Sequence, residues 1–140
     1  MNDLILIDTG PLVASVVRND QAHGWACEIM SGLPAPLLTC EPVLTEATYL
    51  LEQHGQDATA PLRAVQRGAL RIAFGLNEEL AAIASLMRRY RNVPMSLADA
   101  CLVRMSELHE RGTIFTTDSD FRIYRQHGRS VIPVLMPPMD

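Results

Sequence analysis

Lysine is absent from this 140-residue chain, and all twelve basic residues are arginine. P-loop NTPases, protein kinases, Schiff-base enzymes and phospho-acceptor receiver domains each use a lysine to meet phosphate or carbonyl, so all four classes are excluded. Aromatics are scarce, with Trp25, three tyrosines and three phenylalanines, which leaves few platforms for stacking nucleobases. Trp25 stands in an apolar helical segment and is expected in the core. Cys27, Cys40 and Cys101 are odd in number, widely spaced and set among apolar neighbours, the pattern of buried free thiols rather than a disulfide frame or zinc site. The start, MNDLILIDTG, has no basic leader and only a short apolar run between Asp3 and Asp8. Neither a signal peptide nor a membrane span is expected, which points to the cytoplasm.

Nearly half the residues are apolar and a fifth are charged, with a net charge of −4. That balance fits a single globular domain over 1–140 with a sizeable core. An acidic chain does not attract nucleic acid by bulk charge, so any such binding must come from local clusters or from bound metal. Two clusters are present, Arg88, Arg89 and Arg91, then Arg122, Arg125 and Arg129. Each alone also fits the solvated end of a helix.

Leu4 to Ile7 reads as a buried strand ending at Asp8; Thr9, Gly10 and Pro11 break it before a helix over Leu12 to Val17. Further helices are expected over His23 to Met30, Pro42 to His54, Thr59 to Arg67, Asn77 to Tyr90 and Leu97 to His109, with a short one over Phe121 to Arg125. Strands are expected over Pro36 to Cys40, Leu70 to Phe74, Thr113 to Thr116 and Val131 to Leu135. Strands alternating with helices imply an α/β fold with a parallel sheet covered on both faces, because parallel neighbours need crossover connections. In such sheets the ligand site lies beyond the carboxyl ends of the strands, where strand order reverses. Asp8 and Asp118 both fall at that edge.

Four acids share this geography, and each also has a structural role open to it. Asp8 emerges from an apolar strand just before a helix, where it can cap the helix N-terminus. Glu46 lies three residues after Val43 and four before Leu50, on the flank of an apolar helix face, and is expected to be semi-buried, a position that charged groups avoid unless paired or metal-bound. Asp99 follows Ser96 by three residues, the spacing of a capping box, yet shares its helical side with Leu102, Val103 and Ser106. Asp118 and Asp120 follow the strand ending at Thr116, in a run that turn chemistry also explains. Their coincidence is the signal. Two carboxylates about 5 Å apart repel by roughly 3 kcal/mol at an effective dielectric near 20, so a cluster must take up protons or bind a cation, and all-oxygen ligation suits Mg²⁺ or Mn²⁺.

On these residues the sequence resembles PIN-domain proteins, specifically the VapC-type ribonuclease toxins of bacterial toxin–antitoxin pairs. The resemblance spans nearly the whole chain and rests on four segments in order: Leu6-Ile7-Asp8-Thr9-Gly10-Pro11-Leu12, Leu44-Thr45-Glu46-Ala47, Leu97-Ala98-Asp99-Ala100 and Thr117-Asp118-Ser119-Asp120-Phe121. It implies a three-layer α/β/α sandwich around a five-stranded parallel sheet. It further implies a metal-binding catalytic quartet of Asp8, Glu46, Asp99 and Asp118, with Asp120 as a further metal-site acid whose use varies among relatives. A homodimer and a cognate antitoxin that covers or disrupts the metal site come with the same resemblance.

The expected chemistry is Mg²⁺-dependent hydrolysis of RNA phosphodiesters, with one or two metals. Thr9 and Thr117 are candidates to orient the ligating carboxylates, and the arginine clusters to steer RNA phosphates. Two rivals stand beside it. A haloacid-dehalogenase-type phosphatase needs a second Asp two residues after the nucleophilic one, where this chain has Gly10, and a lysine it lacks. A PIN-like module that binds RNA or protein without cleaving it would keep the fold and lose the metal geometry. The triplet Asp8-Thr9-Gly10 also occurs in aspartic proteases, but those are all-β and this chain is mostly helical.

Overall fold

The structure, a computed structural model, describes residues 4–138; the domain expected over 1–140 therefore includes five residues outside the described range. Strand β1 (Leu4–Ile7) feeds helix α1 (Thr9–Ala14), followed by α2 (His23–Ser31), β2 (Leu37–Thr39), α3 (Glu41–Gln53), α4 (Ala60–Gln66) and β3 (Leu70–Ile72). A 3-10 turn over Leu76–Glu79 leads into α5 (Leu80–Arg89), then α6 (Leu97–Leu108) and β4 (Gly112–Phe115). After a second 3-10 turn, Ser119–Arg122, come β5 (Arg125–Gln126), β6 (Ser130–Val131) and β7 (Val134–Leu135).

Strands β3, β2, β1, β4 and β7 form one five-stranded sheet in that order, every pair parallel. The alternation of strand side chains divides the core in two. Leu6, Leu38 and Ile114 face the layer built by α5 and α6 with Phe121 and Tyr124, whereas Ile5, Ile7, Leu37 and Phe115 face the layer containing α1 and the apolar side of α3. The α/β/α sandwich implied by the resemblance is the architecture observed. Among the described residues no helix is long and apolar enough to cross a membrane.

From β1 the chain builds outward to β2 and β3 on one side, then returns to place β4 and β7 on the other. The order reverses between β1 and β4, and parallel strands deliver their carboxyl ends, Ile7 and Phe115, side by side. The residues that follow, Asp8 and Thr116, thus open into the crevice where such sheets bind ligands.

Three local expectations are corrected. Helix α1 starts at Thr9 and takes in Gly10 and Pro11; Pro11 falls in the first turn, where a missing N–H costs no bond. The expected helix over Phe121 to Arg125 is a 3-10 turn ending at Arg122. Beyond it the β5–β6 hairpin turns through His127, Gly128 and Arg129, a three-residue connection with His127 and Gly128 at positive φ (53° and 83°). Val131 belongs to that hairpin, so the strand expected over Val131 to Leu135 is two strands in two different sheets.

Candidate active site

Asp8 is the most enclosed acid of the site, with only 6% of its surface exposed. Its backbone N–H donates to the Phe115 carbonyl at 2.9 Å, extending the β1–β4 ladder by one residue. One carboxylate oxygen accepts the N–H of Thr9 at 2.7 Å and the other accepts the Thr116 hydroxyl at 2.7 Å. The Thr116 oxygen in turn accepts the N–H of Asp118 at 2.9 Å. One buried hydroxyl therefore ties the end of β1 to the segment carrying Asp118. Burial raises the Asp8 pKa from 3.8 to about 6 against the pull of these donors, and the charges of Asp99 and Asp118 push in the same direction.

Asp99 reaches the same rim from the first turn of α6. Ser96 caps that helix: its hydroxyl accepts the Asp99 N–H at 3.0 Å while its own N–H donates to the Asp99 carboxylate at 3.1 Å. The capping box is real, and it fixes the rotamer of the acid. Tyr124 donates its hydroxyl to the same carboxylate at 3.3 Å and to the Pro94 carbonyl. Partial burial, with the Asp118 charge adding to it, raises the Asp99 pKa. The phenol of Tyr124 is held well above its ordinary range by burial and by Asp99, Asp120 and Asp118, so it remains a donor.

Asp118 is half-buried and caps the 3-10 turn, accepting the N–H of Asp120 at 2.9 Å. Asp120 is half-buried on that turn and acts electrostatically on Tyr124. Glu46 differs from expectation, being exposed rather than semi-buried. Its position on α3 lies at the edge of the apolar face, and its carboxylate accepts the hydroxyl of the buried Thr9 at 3.1 Å. Through Thr9 it is attached to the residue that Asp8 caps.

Asp8, Asp99 and Asp118 thus feel one another's charge, Glu46 joins through Thr9, and Asp120 stands one step aside. None of the ion pairs among the described residues involves these acids, so no arginine neutralises them. A set made only of carboxylate oxygens, short of cationic neighbours, has the donor chemistry of a hard divalent cation. The carboxylates are, however, held by N–H and hydroxyl donors rather than converged on one point: among the described residues no three His, Cys, Asp or Glu side chains stand where they could share a metal ion.

Of the two threonines expected to support the acids, Thr9 does so. Thr117 is exposed and faces Gly10, where an added Cβ would lie 2.1 Å from its hydroxyl oxygen. The supporting role belongs to Thr116, whose position opposite Asp8 follows from the β1–β4 register and could not be read without it. Tyr124 was also missed, its contact with Asp99 crossing 25 residues of sequence. Trp25 is half-buried, with its ring edge-on to Phe115 at 5.2 Å, and borders a groove of about 560 Å³ that reaches Gly10 and Thr117. A second groove of about 370 Å³ runs past Glu46, Phe74 and Leu97. Cys40 and Cys101 are buried free thiols, and Cys27 is half-buried.

The family described as PIN domain matches residues 5–126. No curated protein matches the sequence. Among solved structures, VapC20 of Mycobacterium tuberculosis, described as a toxin that cleaves the sarcin–ricin loop, is similar to this chain. The two superpose with a TM-score of 0.76 at 21% identity, over 92% of this chain and 99% of that one. At that identity the likeness is one of fold.

Proposed function

The chain belongs to the PIN-domain family, and from that premise we propose that it is a metal-dependent endoribonuclease, the toxin of a toxin–antitoxin pair. The observation that carries the reading is the gathering of Asp8, Asp99 and Asp118 at one sheet rim without a basic partner, with Asp8 raised to about 6. Asp8, Glu46, Asp99 and Asp118 would hold Mg²⁺, or Mn²⁺ in its place, with Asp120 as an accessory acid. A cation held there would supply positive charge to acidify an attacking water and to offset charge on the phosphoryl oxygens.

Asp8 must give up its proton for this, and the Thr9 N–H and Thr116 hydroxyl stabilise the carboxylate that results. Ser96 and Tyr124 hold Asp99 in one orientation. Thr9 tethers Glu46 so that an exposed, flexible side chain stays at the rim. The substrate is RNA, and the protein acts in the cytoplasm as a homodimer whose antitoxin covers this rim.

The test is incubation of the purified protein with mixed structured RNAs, a sarcin–ricin loop among them, in Mg²⁺, Mn²⁺ or chelator, beside Asp8→Asn and Asp99→Asn. Cleavage in either metal alone, lost in both variants, is expected; cleavage that survives chelation or both substitutions overturns the mechanism. A second reading, a PIN-like binding module without cleavage, is favoured by the absence of a pre-converged acid triplet among the described residues. Thermal stability separates the two, since an ion that binds the fold stabilises it by mass action.

A further inference from the structure

The two arginine clusters stand 31 or more residues apart in sequence and meet in the fold. Arg88, Arg89 and Arg91 sit at and just beyond the C-terminal end of α5, and the β5–β6 hairpin is joined to this end through Arg89 and Tyr90. Arg89 donates to the Gly128 carbonyl at the hairpin turn, and its guanidinium also lies 5.4 Å from the centre of the Tyr90 ring. The Tyr90 hydroxyl accepts the Arg125 N–H at 2.9 Å, and Tyr90 and Tyr124 meet edge to face at 5.1 Å. Arg129 follows Gly128 directly, and Arg122 closes the turn that Asp118 caps. The helix end and the hairpin that carry half of the chain's arginines are thereby joined.

What holds these side chains is the informative point. Arg125 donates one nitrogen to the carbonyls of Arg122, Ile123 and Tyr124 at 2.6 to 3.1 Å, and Arg91 donates to the Arg88 carbonyl at 3.3 Å. The contacts fixing Arg89, Arg91 and Arg125 are to neutral carbonyls, and no carboxylate pairs with any of the six among the described residues. Arg104 contrasts with them, its guanidinium bound by Glu79 and Glu107 beneath the hairpin. A guanidinium held by a carbonyl is positioned without being neutralised. Arg89, Arg91 and Arg125 are held in this way, and exposed, unpaired guanidiniums are available to meet an anion.

The strip also has a direction. At one end Tyr124, flanked by Ile123 and Arg125, donates to Asp99, and Arg122 shares its turn with Asp118 and Asp120. We infer that the α5 C-terminus and the β5–β6 hairpin together form a phosphate track that leads the backbone of an RNA substrate to the Asp99–Asp118 rim. The inference rests on the reading of the chain as an RNA-cleaving enzyme, and it names where that RNA lies. An acidic protein segment is the competing occupant. The succession of arginines over a hairpin and a helix end favours the evenly spaced charges of a nucleic acid backbone.

Binding is measured apart from cleavage, by fluorescence anisotropy of a labelled structured RNA in chelator over a range of NaCl. The variant Arg88→Gln/Arg122→Gln/Arg129→Gln removes three arginines whose side chains make no hydrogen bond among the described residues, so folding is preserved and checked by thermal melting. The control Arg18→Gln/Arg67→Gln/Arg111→Gln makes the same charge change elsewhere. The track variant should bind more weakly and lower the slope of log K against log salt by about 2 to 3, at about 0.7 to 0.9 for each phosphate no longer neutralised. The control should keep the wild-type slope. Equal losses in both variants, or none in either, would overturn the track, as would an oligoglutamate peptide of matched charge that binds the strip more tightly than RNA does. Salt-sensitive, track-dependent binding by a wild-type protein that cleaves nothing in Mg²⁺ would refute the enzymatic reading while leaving the track in place.

Discussion

Replacing Asp8 by asparagine should make the apo protein more stable at neutral pH while abolishing cleavage. The carboxyl has a folded pKa of about 6 against an ordinary 3.8, chiefly through burial. Such a group binds its proton more tightly in the folded chain than in the unfolded one, so its contribution is most favourable below about pH 4. Stability then falls as pH rises through the folded value and stays low above it. At 1.36 kcal/mol per pKa unit the loss is about 3 kcal/mol by pH 7.5. Asparagine carries no charge to desolvate. It can accept the Thr9 N–H and donate to Thr116 Oγ1, which has a second lone pair beside the one bonded to the Asp118 N–H. Some of the gain is offset by exchanging charge-assisted hydrogen bonds for neutral ones, leaving about 1 to 2 kcal/mol, or a rise in Tm of roughly 3 to 6 °C. The assay is thermal unfolding of both proteins in chelator from pH 4 to pH 8. The difference should be small at pH 4, grow mainly between pH 4 and pH 6, and level off above about pH 6.5. A variant less stable than wild type at pH 7.5, or a difference that ignores pH, would refute the assignment of a burial-strained carboxylate.

Thr116→Val preserves shape and leaves the Asp8 carboxylate and the Asp118 N–H each one partner short. It should cost about 2 to 3 kcal/mol by urea titration and shift the pH dependence of cleavage upward. Gly10→Ala should be neutral or destabilising, because the new Cβ meets the Thr117 hydroxyl. The same change in a Thr117→Ala background should stabilise by about 1 kcal/mol through helix propensity, a reversal of sign readable from two melting curves. Ser96→Ala removes the cap of α6 and should cost about 1 kcal/mol, with a loss of cleavage larger than that change implies, because Asp99 also loses its orientation. His127→Asn suits the positive φ of that position better than histidine does and should raise stability by about 0.5 to 1 kcal/mol, measured by denaturant midpoint.

Much of the architecture was legible because it depends on patterns local to the sequence. The apolar run Leu4 to Ile7, the Ser96 and Asp99 spacing and the alternation of helical with extended segments each carry their own signal, and the sheet follows from their order. Hidden were features set by pairing between distant segments. The register Ile7 to Phe115 places Thr116 opposite Asp8, while the sequence offers Thr9, Thr116 and Thr117 as near equivalents. Helical periodicity locates Glu46 at the margin of an apolar face but does not say whether its flexible side chain turns in or out; the Thr9 hydroxyl decides that. The hairpin passes for helix and strand because its connection is His127-Gly128-Arg129, without the Asn-Gly that announces tight hairpins.

Asp8 continues the β1–β4 ladder, so its aim is inherited from the pairing of two strands more than a hundred residues apart. A slip of one residue in that pairing would send every side chain of β1 to the opposite face and withdraw the acid from its hydroxyl partner. Chemical competence and correct assembly of the central sheet are therefore one event. A nascent or misassembled chain of this kind leaves its acidic rim unbuilt.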